Sequence, residues 1–274
     1  QIPILTNEIS KIEVLIEPSQ PLDMEIKLLA GSSYNSVFPG KCLHSETQKL
    51  TKDESQWIKL KEKVQIDNPG WHFLEFKATK DINFHLQENS PFGIFLHRPK
   101  KPAEPKLKSS FSDFIPLVGE RPKPNLGPFV RIHPIQNAYS ETNLINRFFR
   151  PNQLPNLWIS QSTNFKYPEF IELKWEVPVT LRSLEITFDS SMNFQFPPSP
   201  VLFESRVFTS LVKEYNIYYT DDYGHSHKLT SVIENRKGFQ RHIFDEIKTS
   251  SIEIEIVSTH GLDRAQVYQV RAYA

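Results

Sequence analysis

The residues best suited to chemistry stand in a few short runs. In "TDDYGHSHK", Asp221, Asp222, His225 and His227 crowd one predicted hairpin turn. Two histidines at i, i+2 on a strand end share a face, and adjacent carboxylates could complete a metal shell. The run lacks the close-spaced Cys/His pattern of structural zinc and fits a solvated polar turn equally well. In "KCLHS", Cys42 and His44 form a thiol–imidazole pair on one side of a predicted strand. Nucleophilic catalysis also needs a third orienting group and an oxyanion hole, so a small buried thiol is the simpler reading. Glu13/Glu17 and Glu253/Glu255 are carboxylate pairs on outward strand faces. Acid–base work needs two carboxyls that converge across a cleft in different environments, so these read as solvation. The last run is "RPNQLPNLWIS", Arg150 to Ser160. Two prolines and two asparagines lead up to Trp158, one of four tryptophans in the chain. A large aromatic at the mouth of a strand, behind a stiff loop, is either a wall of a binding site or a plug over a core.

The elements that must position these residues are strands. Alternation with period two dominates. In "KIEVLIEP", Ile12, Val14 and Ile16 share a face, as do Met24, Ile26 and Leu28 in "MEIKLLAG". "HFLEFKAT" sets Leu74, Phe76 and Ala78 together, and "DINFHLQE" does the same for Ile82, Phe84 and Leu86. In the second half, "FIELKWEV" aligns Ile171, Leu173, Trp175 and Val177. "LRSLEITF" aligns Leu184, Ile186 and Phe188, "EYNIYYT" aligns Tyr215, Ile217 and Tyr219, and "SIEIEIV" aligns Ile252, Ile254 and Ile256. "VYQVRAY" reads as a closing strand. In "FQRHIF" the inward face is not legible. Gly224 supplies the positive φ of the hairpin turn, and "NRKG" reads as another turn. No comparably long apolar pattern occurs at helical spacing. Short strands joined by turns, without helices between them, imply sandwiches and not a βαβ fold.

Composition sets the outer bounds. A chain of 274 residues has room for two ordinary domains or one large all-β domain. With 38% apolar and 23% charged residues it is globular and able to bury a core. Lys+Arg and Asp+Glu both number 32, so no net field draws it to nucleic acid or anionic lipid. The single cysteine excludes an internal disulfide. No apolar run approaches the roughly 18 residues of a membrane-spanning helix. Nine scattered glycines form neither G-x-G-x-x-G nor G-x-x-x-x-G-K-[ST], so no phosphate cradle is predicted. The chain opens on Gln1 and reads as a fragment of a longer protein. The run from "RPKKPAEPKLKSS" to "GERPKPNLGP" is rich in proline, which fixes φ and lacks an N–H donor, and carries Lys100, Lys101, Lys106 and Lys108. It reads as a solvated linker, partly docked through "FIPLV". The expected organisation is all-β, with two tandem antiparallel β-sandwiches of jelly-roll type. The first spans residues 1–98, the Pro/Lys-rich linker 99–128, and the second sandwich 129–274.

From about Phe129 onward an ordered set of pieces resembles a discoidin-type, galactose-binding-like β-sandwich, related to the coagulation-factor C-type domains. The pieces are "NAYS", "NRFFRPNQLPNLWIS" with its Trp-x-Ser, "EFIELKWEVPVTLRSLEITFD", and the ending "SIEIEIVSTHGLDRAQVYQVRAYA". Two positions depart from the pattern. The usual Asp-Gly or Asn-Gly before the Trp loop is Asn146-Arg147 here, and the closing glutamate is Gln269. "RPNQLPNLWIS", "LVKEYNIYY", "QRHIF" and the ending together also resemble the C-terminal region of bacterial FAD-dependent oxidoreductase-like proteins. "GWHFLEFKATKDINFHLQENSPFGIF" is similar to their preceding sandwich.

The resemblance implies that ligands are met by loops at one end of the second sandwich, and Arg147, Arg150, Asn156 and Trp158 are the residues carried onto such a loop. An aromatic face stacks on a sugar's C–H surface while amide and guanidinium groups bond hydroxyls. Three functions stand open. The leading expectation is a non-catalytic accessory region with a structural or assembly role beside the catalytic domain of a flavin-dependent parent. FAD would then sit in the parent, with no cofactor in this chain beyond a structural calcium ion of the kind loop carbonyls hold. The second is a carbohydrate-binding module with a glycan as partner, using the Trp158 loop. The third is an all-β polysaccharide-active enzyme. No nucleic acid and no membrane insertion are expected, and a periplasmic or extracellular setting is favoured.

Overall fold

The computed structural model describes residues 2–31, 39–51, 55–60, 63–78, 80, 82–88, 97–99, 114–116, 126–150, 154–160, 167–190 and 207–274. The chain is all-β and divides into two compact units, one of Gln1–Ala138 with Asn152–Pro155, the other of Tyr139–Pro151 with Asn156–Ala274.

The first unit is two sheets closed over one core. Strands β1 (Ile2–Ile4), β8 (Gly70–Ala78), β4 (Leu22–Gly31) and β5 (Pro39–Leu50) form one sheet in the order β1-β8-β4-β5. Strands β14 (Val130–His133), β3 (Lys11–Pro18) and β6 (Gln56–Lys59) form the other, where β9 (Ile82–Phe84) also pairs with β3. A small ladder joins β2 (Glu8–Ile9) to β7 (Val64–Gln65). The alternation works as expected: Ile12, Val14 and Ile16 from one sheet meet Met24, Ile26 and Leu28 from the other in a single buried cluster. Four short strands in two pairs complete this half. Strand β10 (Leu86–Glu88) pairs with β13 (Leu126–Pro128), and β11 (His97–Pro99) pairs with β12 (Phe114–Pro116).

Two boundaries shift from the expected ones. Val130–His133, expected in the second sandwich, pairs with Lys11–Val14 of the first, and the compact units divide after residue 138. A four-residue strand carries too little pattern to reveal its partner. The expected linker contains short strand pairs where it is described; Lys100, Lys101, Lys106 and Lys108 lie outside the described residues.

The second unit is built on one doubled ribbon. Its six strands run in the order β15-β20-β16-β19-β17-β18. They are β15 (Trp158–Ile159), β16 (Glu169–Phe188), β17 (Val212–Thr220), β18 (Ser226–Val232), β19 (Phe239–Thr259) and β20 (Gln266–Tyr273). The 20-residue β16 and 21-residue β19 pair along their lengths. The first part of β16 and the last part of β19 form one layer with β17 and β18, and the other ends form a second layer with β20 and β15. Ile171, Ile252, Ile254, Ile256 and Ile217 from the first layer pack on Leu184, Ile186, Phe188 and Val267 from the second.

The arch between the layers is bulged. Lys174 to Val179 spans five steps on β16 while Ser251 to Thr249 spans two on β19. Extra residues in one strand break the in–out alternation. Val177, expected beside Trp175 on the core face, is therefore 71% exposed. On "FQRHIF", Phe239 and Ile243 face outward, while Phe244 packs toward the core and His242 meets buried Tyr215. One short 3-10 helix, η1 (Glu141–Ile145), precedes β15 and buries Leu144.

Candidate functional site

The strand ends converge at one edge of the second sandwich. β16 begins there at Glu169 and returns at Phe188, β19 ends at Thr259, β20 starts at Gln266 and β15 closes at Ile159. Buried Ser160 clamps two of these connections. Its N–H donates to the carbonyl of Ala265 (3.0 Å), and its Oγ accepts the N–H of Ala265 (3.0 Å). The same hydroxyl bonds the Glu169 carboxylate. Tyr167 donates its hydroxyl to the carbonyl of Leu262 at 2.9 Å, and burial pushes its pKa up to about 12. The N–H of Leu262 reaches the carbonyl of Thr209 (3.1 Å), and that of His260 the carbonyl of Leu211 (3.0 Å).

Asn235 fixes the other side. Its buried amide donates to the carbonyls of Val212 (2.9 Å) and Lys237 (3.1 Å) and accepts from the N–H of Lys237 (3.0 Å) and Gln240 Nε2 (2.7 Å). The His260 ring donates Nε2–H to the Asn235 carbonyl at 2.7 Å. Buried polar groups need partners, and these have them.

Two neighbours do not. Among the described residues, Arg264 Nε is buried without a hydrogen-bond partner, and so is Gln266 Nε2. An N–H donor shut from water and left unpaired costs about 1–3 kcal/mol, and more on a charged group. Glu169 and Asp263 lie close enough to Arg264 to interact with its charge. Burial lowers the Arg264 pKa, and the two carboxylates oppose that shift. Burial raises the pKa of Glu169, against the Ser160 hydroxyl and the Arg264 charge. Among the described residues, the edge thus holds a partly buried guanidinium whose Nε–H is shut from solvent without a partner, with Glu169 and Asp263 near enough to act on its charge.

The residues expected on the Trp158 loop are split. Asn156 is 4% exposed, in the left-handed region at φ 52°, a conformation asparagine tolerates. Its amide reaches the carbonyl of Arg150 and accepts from Asn146 Nδ2, both at 3.4 Å. Asn143 Nδ2 donates to the Leu157 carbonyl (3.0 Å), and Gln269 Nε2 to that of Asn146 (2.7 Å). Gln269, the departure from the family's closing glutamate, thus ties β20 to this loop. Trp158 pairs with Val267 and packs half-buried against the core. Arg147 and Arg150 stand outside, exposed, with the Arg150 guanidinium 5.8 Å from the Phe149 ring centre. Asn156 is buried and holds the loop on the sandwich, Trp158 is partly buried, and the two arginines are exposed.

The turn at 221–227 is built around Asp221. Its Oδ1 accepts the N–H groups of Tyr223 and His225 (2.9 Å each), and its Oδ2 meets His227 Nε2 at 2.8 Å. These bonds, the one to His227 foremost, lower its pKa to about 2. Gly224 sits at φ +84° as the turn requires. Asp222 instead pairs with Lys248 Nζ at 2.8 Å. Among the described residues no three His, Cys, Asp or Glu groups stand where they could hold a metal ion, so the expected quartet is a turn lock. In the first unit Cys42 is exposed, not buried, and its thiol meets the His44 carbonyl while the His44 ring turns to Glu46. Glu13, expected to be solvated, is buried under Lys11 (2.8 Å) and Lys59 (3.6 Å).

Comparison with known proteins adds a limited likeness. No protein-family model and no curated protein matches the chain. Among solved structures, it is similar to the family 32 carbohydrate-binding module of Streptococcus pneumoniae EndoD at 15% identity and TM-score 0.39, covering 51% of this chain and 88% of that one. It is similar to the family 32 module of Clostridium perfringens NanJ in complex with galactose at 12% identity and TM-score 0.38, again over 51% and 88%. A third, from Clostridium perfringens in complex with GalNAc-β-1,3-galactose, shows 10% identity and TM-score 0.35 over 48% and 81%. The flavoprotein parent that the sequence resemblance implied gains no support from these comparisons.

Sequence reasoning passed over Glu169, Arg264 and Gln266. Each stands at or beside a strand end with unremarkable neighbours. The one available signal was "GLDRAQ", where a charged pair interrupts two apolar strands just where the chain must turn.

Proposed function

We propose that this chain is a carbohydrate-binding protein whose second unit takes a saccharide at the Arg264–Glu169 edge. The observation that carries the reading is the buried Arg264 Nε without an acceptor. A native site tolerates an orphaned charged donor where a ligand supplies the missing oxygen. Sugar hydroxyls supply such oxygens in numbers and can return a proton to Glu169. The family 32 structures named above include complexes with galactose-containing ligands; the reading here rests on the edge's own groups. Binding, not bond cleavage, is what the arrangement is asked to do. A periplasmic or extracellular setting, where polysaccharide is met, goes with it.

The test is a glycan array on the full chain, followed by calorimetry with the best ligand. Arg264→Ala should weaken binding about ten- to a hundredfold, the cost of a lost charged hydrogen bond, with the melting temperature showing that the variant is folded. Arg147→Ala/Arg150→Ala, on the exposed loop, should bind like the wild type. Unchanged affinity in Arg264→Ala, or loss in the arginine pair, would move the site to the Trp158 loop.

A further inference from the structure

We propose that the outer face of the β14-β3-β6 sheet in the first unit docks an acidic polysaccharide, with Lys59 and Arg131 making the contacts. The inference stands apart from the Arg264 edge and does not rest on it. The inner side of this sheet is core: Ile12, Val14, Ile16 and Ile58 are buried there, with Val130 and Ile132 packed against them. Alternation then turns Lys11, Glu13 and Leu15 outward on β3, Trp57 and Lys59 on β6, and Arg131 and His133 on β14. The register sets Glu13 directly between Arg131 and Lys59. Lys11 Nζ lies 2.8 Å and Lys59 Nζ 3.6 Å from Glu13 Oε1, and His133 Nε2 lies 4.0 Å from Oε2. The Arg131 side chain crosses β3 and lays its guanidinium 4.1 Å from the centre of the Trp57 ring.

Three permanent cations thus gather round one carboxylate, at different depths. The Glu13 side chain is 6% exposed, against 53% for Lys59 and 39% for Lys11, and Arg131 is exposed. The negative charge lies beneath and the positive heads stand in solvent, so an approaching ligand meets the cations first. The next outward carboxylate on β3, Glu17, faces His85 at 3.4 Å. On an open sheet face each exposed ion pair shifts an equilibrium by about fivefold at most. One small anion is therefore held poorly, whereas a chain with a charge on each unit engages several cations at once. The aromatic decides between polyanions. Single-stranded nucleic acid is held by bases stacked on open ring faces, but Trp57 is half-buried and Arg131 already lies over its ring. A polymer of uronate sugars needs the cations and no such platform.

The experiment measures binding of the full chain to polygalacturonate, with neutral dextran and single-stranded DNA as comparison polymers. The wild type should bind polygalacturonate in preference to both, and more weakly as salt is raised from low to physiological concentration. Lys59→Gln/Arg131→Gln should weaken that binding about fivefold to twentyfold. Lys11 stays in place in this variant to hold Glu13, and a melting curve checks that it is folded. Lys174→Gln/Lys248→Gln removes the same charge from the second unit and should bind like the wild type. Arg264→Ala should also leave polygalacturonate binding unchanged, which separates this face from the edge of the second unit. No binding to polygalacturonate, equal binding to dextran, or equal binding by Lys59→Gln/Arg131→Gln would each overturn the inference and leave the reading of the second unit standing. DNA bound as tightly as polygalacturonate would overturn the choice of a polysaccharide.

Discussion

Two imidazoles are held in the neutral form by burial. His242 meets the Tyr215 hydroxyl at 2.9 Å inside the second core, and His72 faces the Gly70 carbonyl at 3.0 Å inside the first. Burial lowers the pKa of both below the ordinary 6.5. A group whose folded pKa is depressed stabilises the fold fully above its unfolded pKa and loses that contribution as the pH falls. Stability should therefore hold above about pH 7 and decline as the pH drops through about 6.5. Asp221 adds a separate window: its pKa falls from 3.8 to about 2, so its contribution disappears only between those values. Thermal melts from pH 8 to pH 2 check both. A midpoint that stays flat from pH 7 to pH 5 would contradict the histidine assignment.

At the scale of the strand, apolar alternation was the legible part. Ile252, Ile254 and Ile256, and Leu184, Ile186 and Phe188, all fall on the core as their spacing predicts. Truncating one of them leaves a cavity among close-packed neighbours, so Ile254→Ala should cost about 2–5 kcal/mol in denaturant unfolding. A loss under 1 kcal/mol would mean the layers are not packed as described. What the sequence hid were places where pairing, not pattern, decides. Val177 belongs to an apolar run but lies in a bulge, and Val130–His133 joins β3 from more than a hundred residues away. The candidate site was hidden for the same reason. Ser160, Glu169 and Arg264 meet only because three strand ends converge, and nothing local to any of them announces it. The Trp158 loop was the reverse case, conspicuous in the sequence, with Asn156 buried and Arg147 and Arg150 exposed in the fold.

On the scale of the molecule, the two cores are separate sets of side chains. Met24 belongs wholly to one and Ile254 to the other. Substitutions with no shared partners add within about 0.3–0.5 kcal/mol. The double variant Met24→Ala/Ile254→Ala should therefore lose the sum of the single losses, measured by denaturant unfolding of all three variants. A shortfall well beyond that margin would show the units to be energetically coupled. With 32 basic and 32 acidic residues the chain carries no net charge that would steer a charged partner over long range.

The arch of the β16/β19 ribbon carries one more implication. The strand that leaves it, Ser183–Phe188, is uncoupled from the residue count upstream by two shifts of register, between Lys174 and Val179 and between Leu181 and Ser183. A residue lost within the bulge would change how many residues loop out, while Leu184, Ile186 and Phe188 keep their inward phase through their pairing with β19 and β20. The bend is thus the place where this long strand can tolerate insertion or deletion, odd or even, without turning either layer of the sandwich inside out.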